Sequence, residues 1–281
     1  MISTILVTGC STGIGKHCAL RLQESGYRVL ATVRKPEDVT ALEAMGLESF
    51  ALDLDSSESI ERGVAHALKL TGGRLDALFN NGAYGQPGAV EDLSREALRT
   101  QFETNLFGWV ELTNRVIPVM RQQGHGRIVM NSSVLGLVAM PYRGAYNASK
   151  FALEGITDTY RQELHGSGVH IALIEPGPIT SAFRRNALDA FKRNIDHEHS
   201  AHAPTYAGVL KRLEGGEEQD SSFTLPPEAV FKSLRHALES SRPKARYYVT
   251  VPTYLLGYLR RILPARWLDA ILRRAAEKEN S

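Results

Sequence analysis

Two cysteines in 281 residues, Cys10 and Cys18, are too few to staple a fold, which sets aside the disulfide-rich secreted scaffolds. One lies in a glycine loop and the other on the helix that follows, so both read as free thiols in a reducing compartment. Charge of one sign is also missing. Lys and Arg number 33 against 31 Asp and Glu, a net charge of +2, and no nucleic-acid partner is expected. There is no run of 18 apolar residues, so no helix is expected to span a membrane. No leader-like segment is visible, because the first apolar strand begins almost at Met1. Internal repeats and low-complexity tracts are absent too. These absences leave a cytoplasmic enzyme or binding protein, and 43% hydrophobic content is ample for one large core.

The order of elements comes next. Strands are expected near 2–8, 28–33, 48–53, 75–80, 126–131 and 168–174, with helices near 13–25, 37–45, 57–70, 95–122 and 145–165. Alternation of this kind predicts a doubly wound, mostly parallel sheet of seven strands covered by helices on both faces. We therefore expect α/β architecture and a single Rossmann-type domain over 1–281. Within it, 180–225 reads as a substrate flap and 252–281 as C-terminal amphipathic helices. Ligands of such sheets bind outside the carboxyl ends of the strands, where strand order reverses. The chemistry-bearing residues at 8–15, 53, 80–83, 131–133 and 176–180 all follow strands, so they should gather along one edge.

The first of these groups is Thr8-Gly9-Cys10-Ser11-Thr12-Gly13-Ile14-Gly15, between a β-branched strand and a helix. Gly9 permits a tight turn, Gly13 lets the backbone approach a pyrophosphate, and Gly15 lets helix and strand lie close. The helix start then offers free N–H groups to phosphate. Three residues separate the first two glycines, a departure from Gly-x-Gly-x-x-Gly. The second group is Tyr146-Asn147-Ala148-Ser149-Lys150. A tyrosine four residues before a lysine shares its helix face, and a neighbouring ammonium favours the phenolate. Acid–base work near neutrality needs a phenol pKa of about 10 to fall by roughly 3 units, or about 4 kcal/mol.

Together, Thr-Gly-x-x-x-Gly-Ile-Gly and Tyr-x-Ala-Ser-Lys resemble the short-chain dehydrogenase/reductase family, with further matches in the family's order. Asn80-Asn81-Gly82-Ala83 stands where the family carries Asn-Asn-Ala-Gly, Asn105 lies in a helix, Ser132-Ser133 follow a strand, and Pro176-Gly177 follow another. The resemblance covers residues 1 to about 180 and is nearest to bacterial NADP-dependent aldehyde reductases and to hydroxysteroid and retinol dehydrogenases. It implies that Tyr146 gives a proton to a carbonyl oxygen while a nicotinamide gives hydride to its carbon. Lys150 would lower the tyrosine pKa and bind the ribose, and Ser133, 13 residues before Tyr146, would polarise the substrate oxygen. Ser132 takes only the role of a polar strand-end residue. Asn105 would hold a water linking Lys150 to solvent.

The cofactor set implied is Gly9, Ser11, Thr12, Gly13, Ile14, Gly15, Arg34, Asp53, Leu54, Asn81, Gly82, Tyr146, Lys150, Pro176, Gly177, Ile179 and Thr180. In it Asp53 meets the adenine amine, Asn81 meets the ribose or supports the glycine loop, and Ile179 and Thr180 meet carboxamide and phosphate. NADP is the expected cofactor. The second strand ends Thr32-Val33 with Arg34-Lys35 after it and no acid for a ribose 2′-hydroxyl, while Glu37 and Asp38 follow Pro36 into the next helix. Arg34 can hold a 2′-phosphate by two hydrogen bonds, with Lys35 a weaker point charge.

Outside the motifs, Phe183, Ala187, Leu188, Ala190 and Phe191 alternate with Arg184, Arg185, Lys192 and Arg193, an amphipathic flap that could close on substrate. Thr253 to Arg273, with Arg274 after it, is a basic amphipathic pair, read as packing on the body or as peripheral contact with a membrane surface. Apolar faces on 95–122 and 145–165 predict a homodimer or homotetramer. His197, His199 and His202 lie in a polar stretch that reads as solvated, and no metal is expected. The substrate should be a small apolar carbonyl or alcohol. Two other readings compete: a sugar-nucleotide epimerase or dehydratase, whose glycine spacing and length differ, and a non-catalytic NADP sensor, which would not need Ser133, Tyr146 and Lys150 together.

Overall fold

In a computed structural model of the chain, residues 4–215 and 223–280 are described. Seven strands make one sheet: β1 (Thr4–Val7), β2 (Arg28–Val33), β3 (Glu48–Ala51), β4 (Ala77–Asn80), β5 (Gly126–Asn131), β6 (Val169–Glu175) and β7 (Arg246–Tyr248). Their order is β3-β2-β1-β4-β5-β6-β7, and every neighbouring pair is parallel. Order reverses between β1 and β4, which places the crevice there. The short β7 has no counterpart among the six strands located from sequence, because Arg246-Tyr247-Tyr248 is too brief to show a period.

Side-chain alternation along the strands feeds two cores. Ile5, Val7, Ala77, Phe79, Val129, Ala172 and Ile174 pack against α1 (Gly13–Glu24), α2 (Pro36–Glu43) and α9 (Glu228–Glu239). Leu6, Leu78, Ile128, Met130, Ile171 and Leu173 face the other way. They meet α3 (Ser57–Leu70), α5 (Gly108–Gln123) and α6 (Gly144–Glu163). Both cysteines are buried as free thiols in the first core, where burial pushes Cys10 up to about 12.

The single helix expected over 95–122 is two. α4 (Arg95–Phe102) and α5 are joined by a π turn, Glu103–Phe107, and Asn105 sits inside it. One widened turn re-aims a side chain that a regular helix would direct elsewhere, and no periodicity in the sequence announces it. The flap region holds α7 (Phe183–Asn194) and α8 (Ala203–Glu214), which share a third cluster with Ala89, Leu93, Ala97 and Ala145. Part of the expected flap, 216–222, lies outside the described residues. The chain ends in α10 (Val251–Ile262) and α11 (Ala265–Glu279). Leu256, Leu268, Leu272 and Ala276 pack on Val134, Leu135, Val138 and Met140. The other side of this pair leaves Leu255, Ile262 and Trp267 more than half exposed.

Candidate active site

The glycine loop is built as the spacing required. Gly9 and Gly13 adopt φ of +70° and +56°, conformations that glycine takes without steric cost. A Cβ on Gly9 would stand 2.5 Å from Gly82 Cα, and one on Gly15 would stand 2.2 Å from the Gly9 carbonyl oxygen. Loop, helix and the β4 turn are thus packed backbone to backbone. Thr8 Oγ1 fastens that contact, accepting from the amides of Asn81 (2.9 Å) and Gly82 (3.0 Å). The Asn81 amide group in turn donates to the carbonyls of Thr8 and Gly9, and its Oδ1 accepts from Asn131 Nδ2 at 2.8 Å. Of the two roles open to Asn81, the structure shows support of the loop. A Cβ on Gly82 would come 3.0 Å from the Leu54 side chain and 3.3 Å from Gly9 N, and the Gly82 carbonyl accepts from Trp109 Nε1 at 2.8 Å.

Whether these residues suit a dinucleotide is answered by the same loop. Ser11 and Thr12 are exposed, α1 begins without a side-chain cap, and no acid lies in its first turn. An uncapped helix start behind a glycine cradle fits a pyrophosphate. At the far end of the crevice, Arg34 stands exposed just past the end of β2. Glu37 and Asp38 sit in the first turn of α2 behind Pro36, as expected. Lys35 points toward Glu37, 3.9 Å away. Asp53 Oδ1 accepts the Asp55 amide at 3.1 Å, so that oxygen serves its own turn, and Leu54 is buried beside Gly82. The 176–180 segment is held in a way its sequence does not show. The Thr180 amide donates to Leu225 and the Leu225 amide to Pro178, both at 3.1 Å. The chain is therefore strand-like here, and the backbone groups of Ile179 face away from Leu225. A Cβ on Gly177 would lie 2.2 Å from Thr250 Oγ1, which seats Pro176-Gly177 on the start of α10.

Ser133, Tyr146 and Lys150 meet at the carboxyl end of β5. Ser133 lies close enough to Tyr146 to favour its phenolate, and Lys150, 1% exposed, donates to the Asn131 carbonyl at 2.8 Å. The amine also lies 4.5 Å over the Trp109 ring and 5.7 Å from that of Tyr146. Asn105 Oδ1 accepts the Tyr84 amide at 3.1 Å. Its Nδ2 donates to the Tyr84 carbonyl at 2.9 Å and to Ser149 Oγ at 3.2 Å. These partners lie far along the chain, so Asn105 clamps the 84 loop to α6 rather than capping its own helix.

Burial works against the tyrosine–lysine pairing in this structure. Burial pushes the Tyr146 phenol up, to about 12, with Ser133 and Arg143 opposing. Burial also brings Lys150 down, to about 7, against the pull of Glu154. The lysine lowers the tyrosine only while it carries charge, and its amine is turned to Asn131 and Trp109.

Phe183 closes the arrangement: its ring meets Tyr146 edge-on at 5.3 Å, and Gly85 makes room for it. Trp109 was not foreseen as a site residue, and Thr8 and Asn131, though within the groups expected along this edge, had been given no role of their own. Only Trp109, one of two tryptophans, carried a signal that could have marked it. Of the histidines, His199 pairs with Asp196 and His202 with Glu91, and among the described residues no group of three metal-binding side chains forms.

A doubly wound parallel sheet with a glycine-lined crevice and this side-chain set is the architecture of an oxidoreductase of the Rossmann type. The chain belongs to the short-chain dehydrogenase family, whose model matches residues 3–191. It is 43% identical over 272 residues to the uncharacterized oxidoreductase YbbO of Escherichia coli, covering 97% of this chain and 94% of that one. It is 31% identical to human 17-beta-hydroxysteroid dehydrogenase type 1, over 88% of this chain and 77% of that protein. Among solved structures, a short-chain dehydrogenase from Streptomyces avermitilis superposes with a TM-score of 0.78 at 27% identity, covering 99% of this chain and 95% of that one.

Proposed function

We propose that the chain is an NADP(H)-dependent oxidoreductase acting on an apolar aldehyde, ketone, retinoid or steroid-like alcohol. The observation that carries this reading is the meeting of Ser133, Tyr146 and Lys150 at the strand end beside the glycine cradle. When bound there, the nicotinamide supplies or accepts the hydride. Ser133 donates a hydrogen bond to the substrate oxygen beside the Tyr146 hydroxyl, whose phenolate it favours. Tyr146 gives its proton to that oxygen as the carbonyl is reduced, and takes it back in the oxidative direction. Lys150 in its charged form stabilises the phenolate left behind and bonds the ribose. Asn105, through Ser149, keeps the Tyr146–Lys150 turn fixed against the 84 loop, and in this reading it holds a water that links Lys150 to solvent. Gly9, Ser11, Thr12, Gly13, Ile14 and Gly15 hold the pyrophosphate, Asp53 and Leu54 flank the adenine, and Pro176, Gly177, Ile179 and Thr180 line the nicotinamide end. A screen of aldehydes, retinoids and steroids for cofactor turnover tests the reading, and turnover of none of them would count against it.

An apolar substrate is supported by Phe183 on Tyr146 and by the aliphatic cluster of Val134, Leu135, Val138 and Met140 next to it. NADP is supported by Arg34 at an acid-free strand end. The exposed row Val251, Tyr254, Leu255, Tyr258, Ile262 and Trp267, flanked by Arg260, Arg261, Arg266, Arg273 and Arg274, supports peripheral contact with an anionic lipid surface. No helix among the described residues is long and apolar enough to cross a membrane. Assembly as a homodimer or homotetramer is supported by Phe107, half exposed between α4 and α5. Light scattering should give a multiple of the chain mass, and anionic vesicles should sediment the parent but not Trp267→Glu; a monomer, or equal sedimentation, contradicts the respective claim.

A further inference from the structure

Three consecutive residues at the end of β5 meet three successive turns of α6. Ser133 stands beside Tyr146, Asn131 accepts from Lys150, and Ser132 Oγ donates to Glu154. The first two contacts involve the reactive pair. The third is unexplained by the reaction, and it is buried: Ser132 and Glu154 are 3% and 6% exposed. Gly136 leaves the room, since a Cβ there would fall 2.9 Å from both Glu154 Cγ and Ser132 Oγ.

Behind Glu154 stands a larger group. Arg246 of β7 bonds Glu154, Glu175 Oε1 at 2.6 Å and Asp158 Oδ2 at 2.6 Å, and Asp158 also bonds Arg161 at 2.6 Å. Glu175 is fully buried, and its Oε2 has no hydrogen-bond partner. Three carboxyls around one guanidinium cannot all ionise cheaply. Burial pushes both Glu175 and Glu154 upward, but Glu154 has donors on both oxygens while Glu175 Oε2 has none, so the proton is assigned to Glu175. Glu154, bonded by both Ser132 and Arg246, is left as the charged member, four residues along α6 from Lys150. Among the described residues no carboxylate bonds the Lys150 amine directly. The charged and titratable groups around it are Tyr146, Glu154 and Asp158 on its own helix, Glu175 on β6, Arg246 on β7, and Arg143 beside Tyr146. Only Glu154 is one helical turn away with negative charge.

We propose that Glu154, held by Ser132 and Arg246, is a positioning residue that keeps Lys150 protonated and fixes the β5 end carrying Ser133. This deepens the reductase reading, because a neutral Lys150 could not stabilise the Tyr146 phenolate. Burial alone would discharge the amine, and the Glu154 carboxylate opposes that.

The test reads Lys150 itself and needs no turnover. In protein carrying ¹³C-labelled lysine, the Lys150 Cε signal is identified by its loss in Lys150→Met and then titrated with pH. In the parent its midpoint should lie well below that of an exposed lysine. In Glu154→Gln, which keeps shape and hydrogen bonding, the midpoint should fall further by about one pH unit, a tenfold loss of proton affinity. Glu154→Asp should recover part of that fall. Glu175→Gln removes a carboxyl that already carries its proton, so it should not lower the midpoint. An unchanged midpoint in a folded Glu154→Gln overturns the inference, and so does an equal fall in Glu175→Gln. If Glu154→Gln fails to fold, Ser132→Ala takes its place. It weakens the hold on the carboxylate, and its midpoint must then shift or the inference fails. A parent inactive on every carbonyl would overturn the reductase reading, while the titration would still decide the role of Glu154.

Discussion

Gly9→Ala separates the two physical reasons for a glycine at the head of the nucleotide loop. The residue has φ of +70°, where an alanine costs roughly 1–2 kcal/mol. Its new Cβ would also stand 2.5 Å from Gly82 Cα and 2.9 Å from Gly82 N. Both are backbone atoms, pinned by Thr8 Oγ1 and Trp109, so neither can turn aside. Overpacking of this kind costs about 1–3 kcal/mol. The sum is about 2–5 kcal/mol, or a melting temperature lower by roughly 5–15 °C for a chain of this size. Gly26 supplies the control: it has φ of +87°, and a Cβ added there would find nothing within 4 Å. Gly26→Ala should carry the conformational cost alone, about 1–2 kcal/mol. Thermal unfolding of the two variants and the parent measures the difference, and titration with cofactor should show that only Gly9→Ala weakens binding, by at least about tenfold. If Gly9→Ala is no less stable than Gly26→Ala, the close approach of loop and β4 turn is not the reason for the glycine.

Arg34→Ala should lower kcat/KM for NADPH by roughly 10–100-fold, the worth of a charge-assisted hydrogen-bonded phosphate contact, and leave NADH nearly unchanged. Equal losses with both cofactors would remove Arg34 from cofactor choice. Glu175→Gln tests the buried carboxyl through stability. A carboxyl whose folded pKa is raised stabilises the fold below its unfolded value, near 4.5, and that stability is lost as pH rises through the folded value, to about 8. The parent should therefore lose melting temperature over that window, and the variant should lose less. Parallel curves for the two proteins would show that Glu175 is not held protonated.

Much of this molecule was legible from spacing. The alternation of short apolar runs and amphipathic helices implied a parallel sheet, because strands buried on both faces and helices buried on one leave different periods. The glycine loop was readable because only glycine tolerates φ of +70° beside another backbone. Tyr146 and Lys150 were readable as an i,i+4 pair. The rest depended on contacts between distant segments. Nothing local in Thr8, Asn131 or Trp109 says that they bond Asn81, Lys150 and Gly82. The π turn that carries Asn105 follows from packing across α6 and the 84 loop, not from propensity. The direction of the tyrosine shift was illegible for the same reason. Spacing shows that an ammonium is near, but not that burial weakens its hold on the proton and raises the phenol beside it.

The central claim is that the Tyr146 hydroxyl moves the proton of a carbonyl reduction. Reduction of a good aldehyde or ketone substrate by parent and Tyr146→Phe, followed by NADPH absorbance under saturating cofactor, tests it most directly. The ring still packs against Phe183 and Lys150, so cofactor affinity should hold. The rate should fall by roughly 100- to 10,000-fold, the contribution of a general acid. A variant that binds cofactor and reduces the substrate at near parental rate would contradict the account.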